Sequence, residues 1–190
     1  MPRHVLAFTV TVLTVAAALS HGQPAARAVA ITGVSVVPMD RERVLADHTV
    51  LVVDGRIQSV GPSASVAVPD GTTRIDGRGQ WLMPGLAEMH AHIPPGNASI
   101  ADMERMLELN LLNGITVVRG MLGDPRHLDL RDRAARGELA SPHILTSGPS
   151  FNGNSAPTPE AATRMVAEQK AAGYDLLKIH PGVPRAAFDA

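Results

Sequence analysis

Two histidines separated by one residue, His90-Ala91-His92, are the side chains whose type and spacing most directly suggest chemistry. Alternate residues of a strand point to one face, so in an extended segment both imidazoles project to the same side. Neutral imidazole is a good ligand for zinc and similar divalent cations. The spacing also arises by chance, which leaves an ordinary surface pair as the alternative. Lys178 lies at the end of a β-prone run, Tyr174 to Ile179, and on its own reads as a surface lysine. An ammonium is no metal ligand, so a site role would need a change in its charge. His180 shares the face of Lys178 if the strand runs that far, as a pocket or a structural residue. His143 begins a different run, away from the expected site, and reads as core or surface. Arg119 ends the run Ile115 to Val118, where it meets an anionic substrate group or an ordinary salt bridge. Asn152 and Asn154 lie in a glycine-rich loop that touches substrate or simply turns.

Composition narrows the function classes. The chain has 190 residues, no cysteine, 17 basic and 18 acidic residues and a formal net charge of -1. Nucleic-acid binding wants a basic surplus, and none exists. Aromatics are only 3%, too few for a base-stacking platform. Without cysteine there is no disulfide framework, thiolate metal site or thiol nucleophile. Imidazole nitrogen, amine and carboxylate oxygen remain as donors.

The elements that would position these residues follow from punctuation and period. Val29 to Gln80 reads as short β. Thr49 to Val53 and Arg56 to Val60 flank Asp54-Gly55, a hairpin signal because both central turn positions want positive φ. Ile31 to Val37, Val66 to Val68 and Thr73 to Ile75 are further expected strands. After Trp81 the pattern alternates between β and α. Leu82 to Met89 is an expected strand. Ser99 with Asp102 caps a helix whose apolar face is Ile100, Met103, Leu107 and Leu111, and Gly114 stops it. Ile115 to Val118 is the next strand, and Asp124-Pro125 opens a helix ending near Gly137. His143 to Thr146 is a third strand. Thr158-Pro159 opens a helix ending at Gly173, and Tyr174 to Ile179 is a fourth strand. Strand starts near residues 82, 115, 143 and 176 give repeats of 33, 28 and 33 residues, as in parallel βα folds. A doubly wound sheet and a (β/α)8 barrel both use this pattern, and a barrel takes about 31 residues per unit. No glycine-rich phosphate loop follows the first strand.

The first 28 residues have the layout of a secretory leader. Arg3 and His4 precede an apolar run from Val5 to Leu19, and Ala26-Arg27-Ala28 offers a cleavage site. The run is shorter than the ~20 residues of a spanning helix. An uncleaved anchor is the alternative. The expected organisation is therefore a leader over 1–28, a small all-β unit over 29–80 and a βα-repeat unit over 81–190, in a secreted or periplasmic protein.

The segment Trp81-Leu82-Met83-Pro84-Gly85-Leu86-Ala87-Glu88-Met89-His90-Ala91-His92 resembles the amidohydrolase-superfamily signature W-L-x-P-G-L-x-D-x-H-x-H. Glu88 stands where the pattern usually has aspartate. Val50 to Gly61 is similar to the hairpin upstream of that signature, Asn113 to Gly120 to its second-strand segment, and Ala172 to His180 to its fourth-strand segment. The nearest flavour is the imidazolonepropionase-like and prolidase-like branch. The resemblance covers nearly all of residues 31–190 and implies an α/β fold. That fold would be a partial (β/α)8 barrel of about four βα units, preceded by a small β-sandwich-type unit.

The resemblance further implies a metal-dependent hydrolase of amide, cyclic amide or dipeptide-like C–N bonds. His90, His92 and Lys178 would be the metal ligands, the lysine as a carboxylated amine bridging two ions. Zinc is the first expectation for the ion, and manganese, cobalt or iron would also suit. The family's two later histidine ligands and its proton-transferring aspartate have no counterpart here. No catalytic acid–base residue is therefore assigned, and the chain reads as a truncated half of an active site. The partner would be a small amide or peptide-like molecule, with no nucleic acid and no membrane after leader cleavage. Open sheet edges would permit a homo-oligomer. The rival reading is an inactive remnant or assembly partner. A doubly wound binding protein would instead scatter His90, His92 and Lys178.

Overall fold

The computed structural model describes residues 27–190. The leader reading thus falls almost wholly outside the described residues. The chain divides into two compact units, with the boundary between Leu82 and Met83.

The first unit is one mixed sheet. β1 (Ala28–Val36) pairs antiparallel with β2 (Leu45–Val53), which pairs antiparallel with β3 (Arg56–Pro62). On its other edge β1 takes β4 (Thr73–Asp76) and β5 (Trp81–Leu82), both parallel. Asp54 and Gly55 turn the β2–β3 hairpin with φ of 49° and 76°, as the dipeptide predicts. Val34, Val36 and Val50 are buried together, with Ile31, Leu45, Val52 and Leu82 against them. The expected β-sandwich is not what forms: both edges of β1 are paired within one five-stranded sheet. The expected strand at Val66 to Val68 is also absent. The Ser65 and Val66 amides donate to the Pro62 carbonyl, and that turn takes the backbone out of the ladder.

The second unit alternates strands and helices. β6 (Leu86–Ala91), β7 (Ile115–Gly120) and β8 (His143–Thr146) form a parallel sheet in sequence order. α1 (Ile100–Leu112) and α2 (Arg126–Ala135) connect them, and α3 (Pro159–Ala172) follows β8. A short α4 (Arg185–Phe188) lies near the end. Ala91, Val118 and Ile144 of the sheet pack on Met103 and Leu107 of α1 and Leu130 of α2. Ser99 and Asp102 form the predicted capping box, and Gly173 ends α3 in the left-handed region.

Three expectations here need correction. The strand predicted over Leu82 to Met89 is two pieces, because Pro84 lacks a donor and Gly85 lies against the Thr116 side chain with no room for a Cβ. Of the predicted α1 stripe, only Met103 and Leu107 are in the core, while Ile100 and Leu111 at its ends are exposed. The fourth strand is an extended segment, not a continuous strand. It meets the chain after β8 at two parallel bridges, Ser147 with Leu176 and Phe151 with Ile179. Four steps on one side face three on the other, so no continuous register exists. Pro149, between the bridges, has no amide to donate.

Candidate metal centre

The candidate side chains are aimed by the sheet of the second unit. In β6, Ala91 is buried against the helices. His90, its neighbour in the chain, faces the opposite side, while a register shift between Glu88 and Ala91 sets Glu88 level with Val118. In β7, Val118 and Gly120 are buried, which turns Arg119 to that same opposite side. On the edge segment, the Phe151 amide donates to the Lys178 carbonyl at 2.8 Å, and the His180 amide donates to the Phe151 carbonyl at 2.8 Å. This is the parallel pattern centred on Ile179, so Lys178 and His180 share one face and Ile179 takes the other.

The three candidate ligands meet. The His90 and His92 rings are 5.2 Å apart between centroids, tilted by 51°. The Lys178 Nζ lies 3.5 Å from His90 Nε2. Both histidines are exposed and Lys178 is half-buried. The His90 amide donates to Glu88 Oε1 at 2.8 Å, so the carboxylate steadies the backbone at the first histidine. The charge of Lys178 lowers the pKa of His90 below its ordinary value, assisted by partial desolvation and by His92 and Arg119. Glu88 acts in the other direction. The net effect favours neutral imidazole, the protonation state that binds a metal. Among the described residues no three His, Cys, Asp or Glu side chains gather around a common point. The candidate cluster is therefore two imidazoles and an amine.

The other candidates separate clearly. His143 is exposed at the start of β8, opposite Val117 and not at the end where Gly120 meets Thr146. Asn152 is a turn former: its Oδ1 accepts from the amides of Asn154 and Ser155 at 2.8 and 3.1 Å. Asn154 is exposed within that turn. Arg119 makes no salt bridge among the described residues. Its Nε donates to the Met89 carbonyl at 2.8 Å.

Sequence reasoning missed a brace beside the centre. Asp124 accepts from the Gly96 amide at 2.9 Å and from Arg126 Nε at 2.8 Å. Arg126 also donates to the carbonyls of Ala98 and Gly96 at 2.7 and 2.6 Å. The loop that follows His92 is thereby tied to the head of α2. The Arg126 guanidinium holds the Asp124 carboxyl well below the usual carboxylate range. Asp124 two residues ahead of a helix was a visible capping signal, but its partner at Gly96 was not.

No protein-family model matches the chain. It is 37% identical over 79 residues to an imidazolonepropionase of Stenotrophomonas maltophilia, covering 40% of this chain and 19% of that protein. It is 36% identical over 89 residues to adenine deaminase 2 of a Bradyrhizobium species, covering 46% of this chain and 14% of that protein. In three dimensions it resembles a crystal structure described as a prolidase from Bifidobacterium longum. That match has a TM-score of 0.72 and 31% identity, over 80% of this chain and 40% of that one. The chain thus spans less than half the length of these relatives. Together they relate it to the amidohydrolase superfamily, over the N-terminal portion of its members.

Proposed function

We propose that the chain carries the first metal-holding half of the active site of an amidohydrolase, which hydrolyses C–N bonds in amide, cyclic amide or dipeptide-like small molecules. The observation that supports this most is the convergence of His90, His92 and Lys178, because nothing in a non-catalytic sheet requires them to meet. The donor set fits a divalent cation, with zinc first and manganese, cobalt or iron also suited. His90 and His92 would hold it as neutral imidazoles. Lys178, once carboxylated, would offer anionic oxygens in place of a repelling ammonium. Such an ion supplies Lewis acidity for an amide carbonyl and acidifies water. Glu88, through the His90 amide, keeps the first ligand in position.

The same reading takes β6, β7, β8 and the edge segment as the opening strands of a (β/α)8 barrel, whose chemistry sits at the C-terminal strand ends. It assigns the further ligands and the proton-transferring carboxylate to the portion of the relatives that this chain does not span. It takes residues 29–80 as a small accompanying β unit, 81–190 as the barrel half and 1–28 as an export leader. One observation favours a second reading, an assembly partner that pairs with a further copy of itself. Leu86 and Met89 on β6, and Leu177 and Ile179 on the edge segment, are exposed.

A zinc titration of the chain tests the first reading. We expect saturable zinc uptake, lost in the His90→Ala, His92→Ala double variant. Intact-mass measurement should show about 44 Da of added carbon dioxide on Lys178. Uptake that survives removal of both histidines overturns it.

A further inference from the structure

We infer that Arg119 anchors a carboxylate on the substrate of the His90–His92–Lys178 site. The inference rests on the reading above and names the class of molecule that site would accept: small amides that also bear a free carboxylate. Arg119 stands on the sheet face that carries His90 and Lys178, and it is half-buried. Its single hydrogen bond among the described residues runs from Nε to the Met89 carbonyl of the neighbouring strand. That bond fixes the plane of the guanidinium beside His90 and leaves Nη1 and Nη2 without a protein partner there.

The contrast with the other arginines of the unit is informative. Arg126, Arg131, Arg133, Arg136 and Arg185 each pair with a carboxylate, and Arg105 of α1 and Arg164 of α3, which pair with none, are exposed where Arg119 is half-buried. Arg119 pairs with none among the described residues, although Glu88 stands only two residues before His90. One oxygen of Glu88 is taken by the His90 amide. A second cation, Lys178, stands on this face, with its Nζ 3.5 Å from His90 Nε2. A planar fork of donors, held by its inner nitrogen on a cationic surface, is complementary to a carboxylate. A neutral amide offers only one acceptor and no charge.

Two probes that differ only in this group test the inference: N-acetylalanine, with a carboxylate, and N-acetylalaninamide, without one. Each is titrated by calorimetry into the whole chain with zinc present. The wild type should bind the carboxylate probe about tenfold or more tightly than the amide probe, as expected for a charge-assisted pair. Arg119→Gln keeps a neutral donor for the Met89 carbonyl and should abolish the preference, with an unchanged melting temperature. Arg119→Lys should restore part of it. Equal affinity for both probes in the wild type, or binding of neither, overturns the inference. So does a preference that persists in Arg119→Gln. Zinc stoichiometry on the same samples scores the metal reading separately: absent zinc uptake with the preference intact fails the metal centre and leaves Arg119 assigned.

Discussion

His127 shows how one side chain acquires a property that its neighbours in sequence do not announce. It lies in the first turn of α2 with 0% of its surface exposed. The Asp124 amide donates to its Nδ1 at 3.3 Å, so the ring is an acceptor there and a proton on that nitrogen would break the bond. Burial lowers its pKa from the ordinary 6.5, against an opposing pull from Asp124 and the Pro94 carbonyl. The sign of the consequence follows from linkage. As pH falls through about 6.5 the unfolded chain binds a proton that the folded chain does not, so stability declines. The decline ends once pH passes below the folded value and both states are protonated. Urea melts between pH 7.5 and 5 should show falling stability, and His127→Gln should flatten that slope. An equal slope in the variant would place its origin elsewhere. The Asp124–Arg126 brace is a separate matter, since the depressed carboxyl of Asp124 keeps its charge through this whole window.

The elements are held by close backbone approaches as much as by their apolar faces. Gly123, between β7 and α2, lies against the carbonyls of Ser147 and Gly148 in the connection after β8. A methyl group there would collide with backbone, which cannot rotate away. At Gly120, only three residues earlier, a Cβ would meet Ile93, Leu145 and Thr146 at 3.5 Å, an ordinary contact. Gly123→Ala should therefore cost about 2–3 kcal/mol in denaturant melts and Gly120→Ala less than about 1 kcal/mol. Similar losses for both would mean that the loop after β8 yields. The loops that these glycines join stand at the same strand ends as His92 and Arg119, so packing of the connections also shapes the candidate site. By contrast, the α1 capping box and the α3 signals Thr158-Pro159 and Gly173 are local, and each forms where its residues predict. The broken fourth strand was not legible in this way, because its register depends on Pro149 and Phe151 in another segment.

At the scale of the molecule, the second unit presents apolar residues on open edges. Leu86 is 53% exposed on β6, and Leu177 and Ile179 are 41% and 43% exposed on the edge segment. An unprotected strand edge is a template for pairing with another chain. Sedimentation or size-exclusion measurements over a concentration series should show self-association of this chain. Leu86→Lys and Ile179→Lys together should reduce it, because lysine on an edge opposes strand addition. A concentration-independent monomer in the wild type would remove the assembly reading. The residues alone determined what depends on a few consecutive positions: the Asp54-Gly55 hairpin, the helix caps and the nearness of His90 and His92, whose rings stand 5.2 Å apart. These follow from strand period and from turn and cap chemistry, which act within one turn or one strand. Lys178 lies 88 positions beyond His90, and only the resemblance of its segment to a known family brought it to the site beforehand. The tertiary structure decided that meeting, the unpaired fork of Arg119, the Asp124 brace and the single sheet of the first unit. Each depends on which backbone pairs with which across long loops, where packing of the whole unit and not a local turn sets the arrangement.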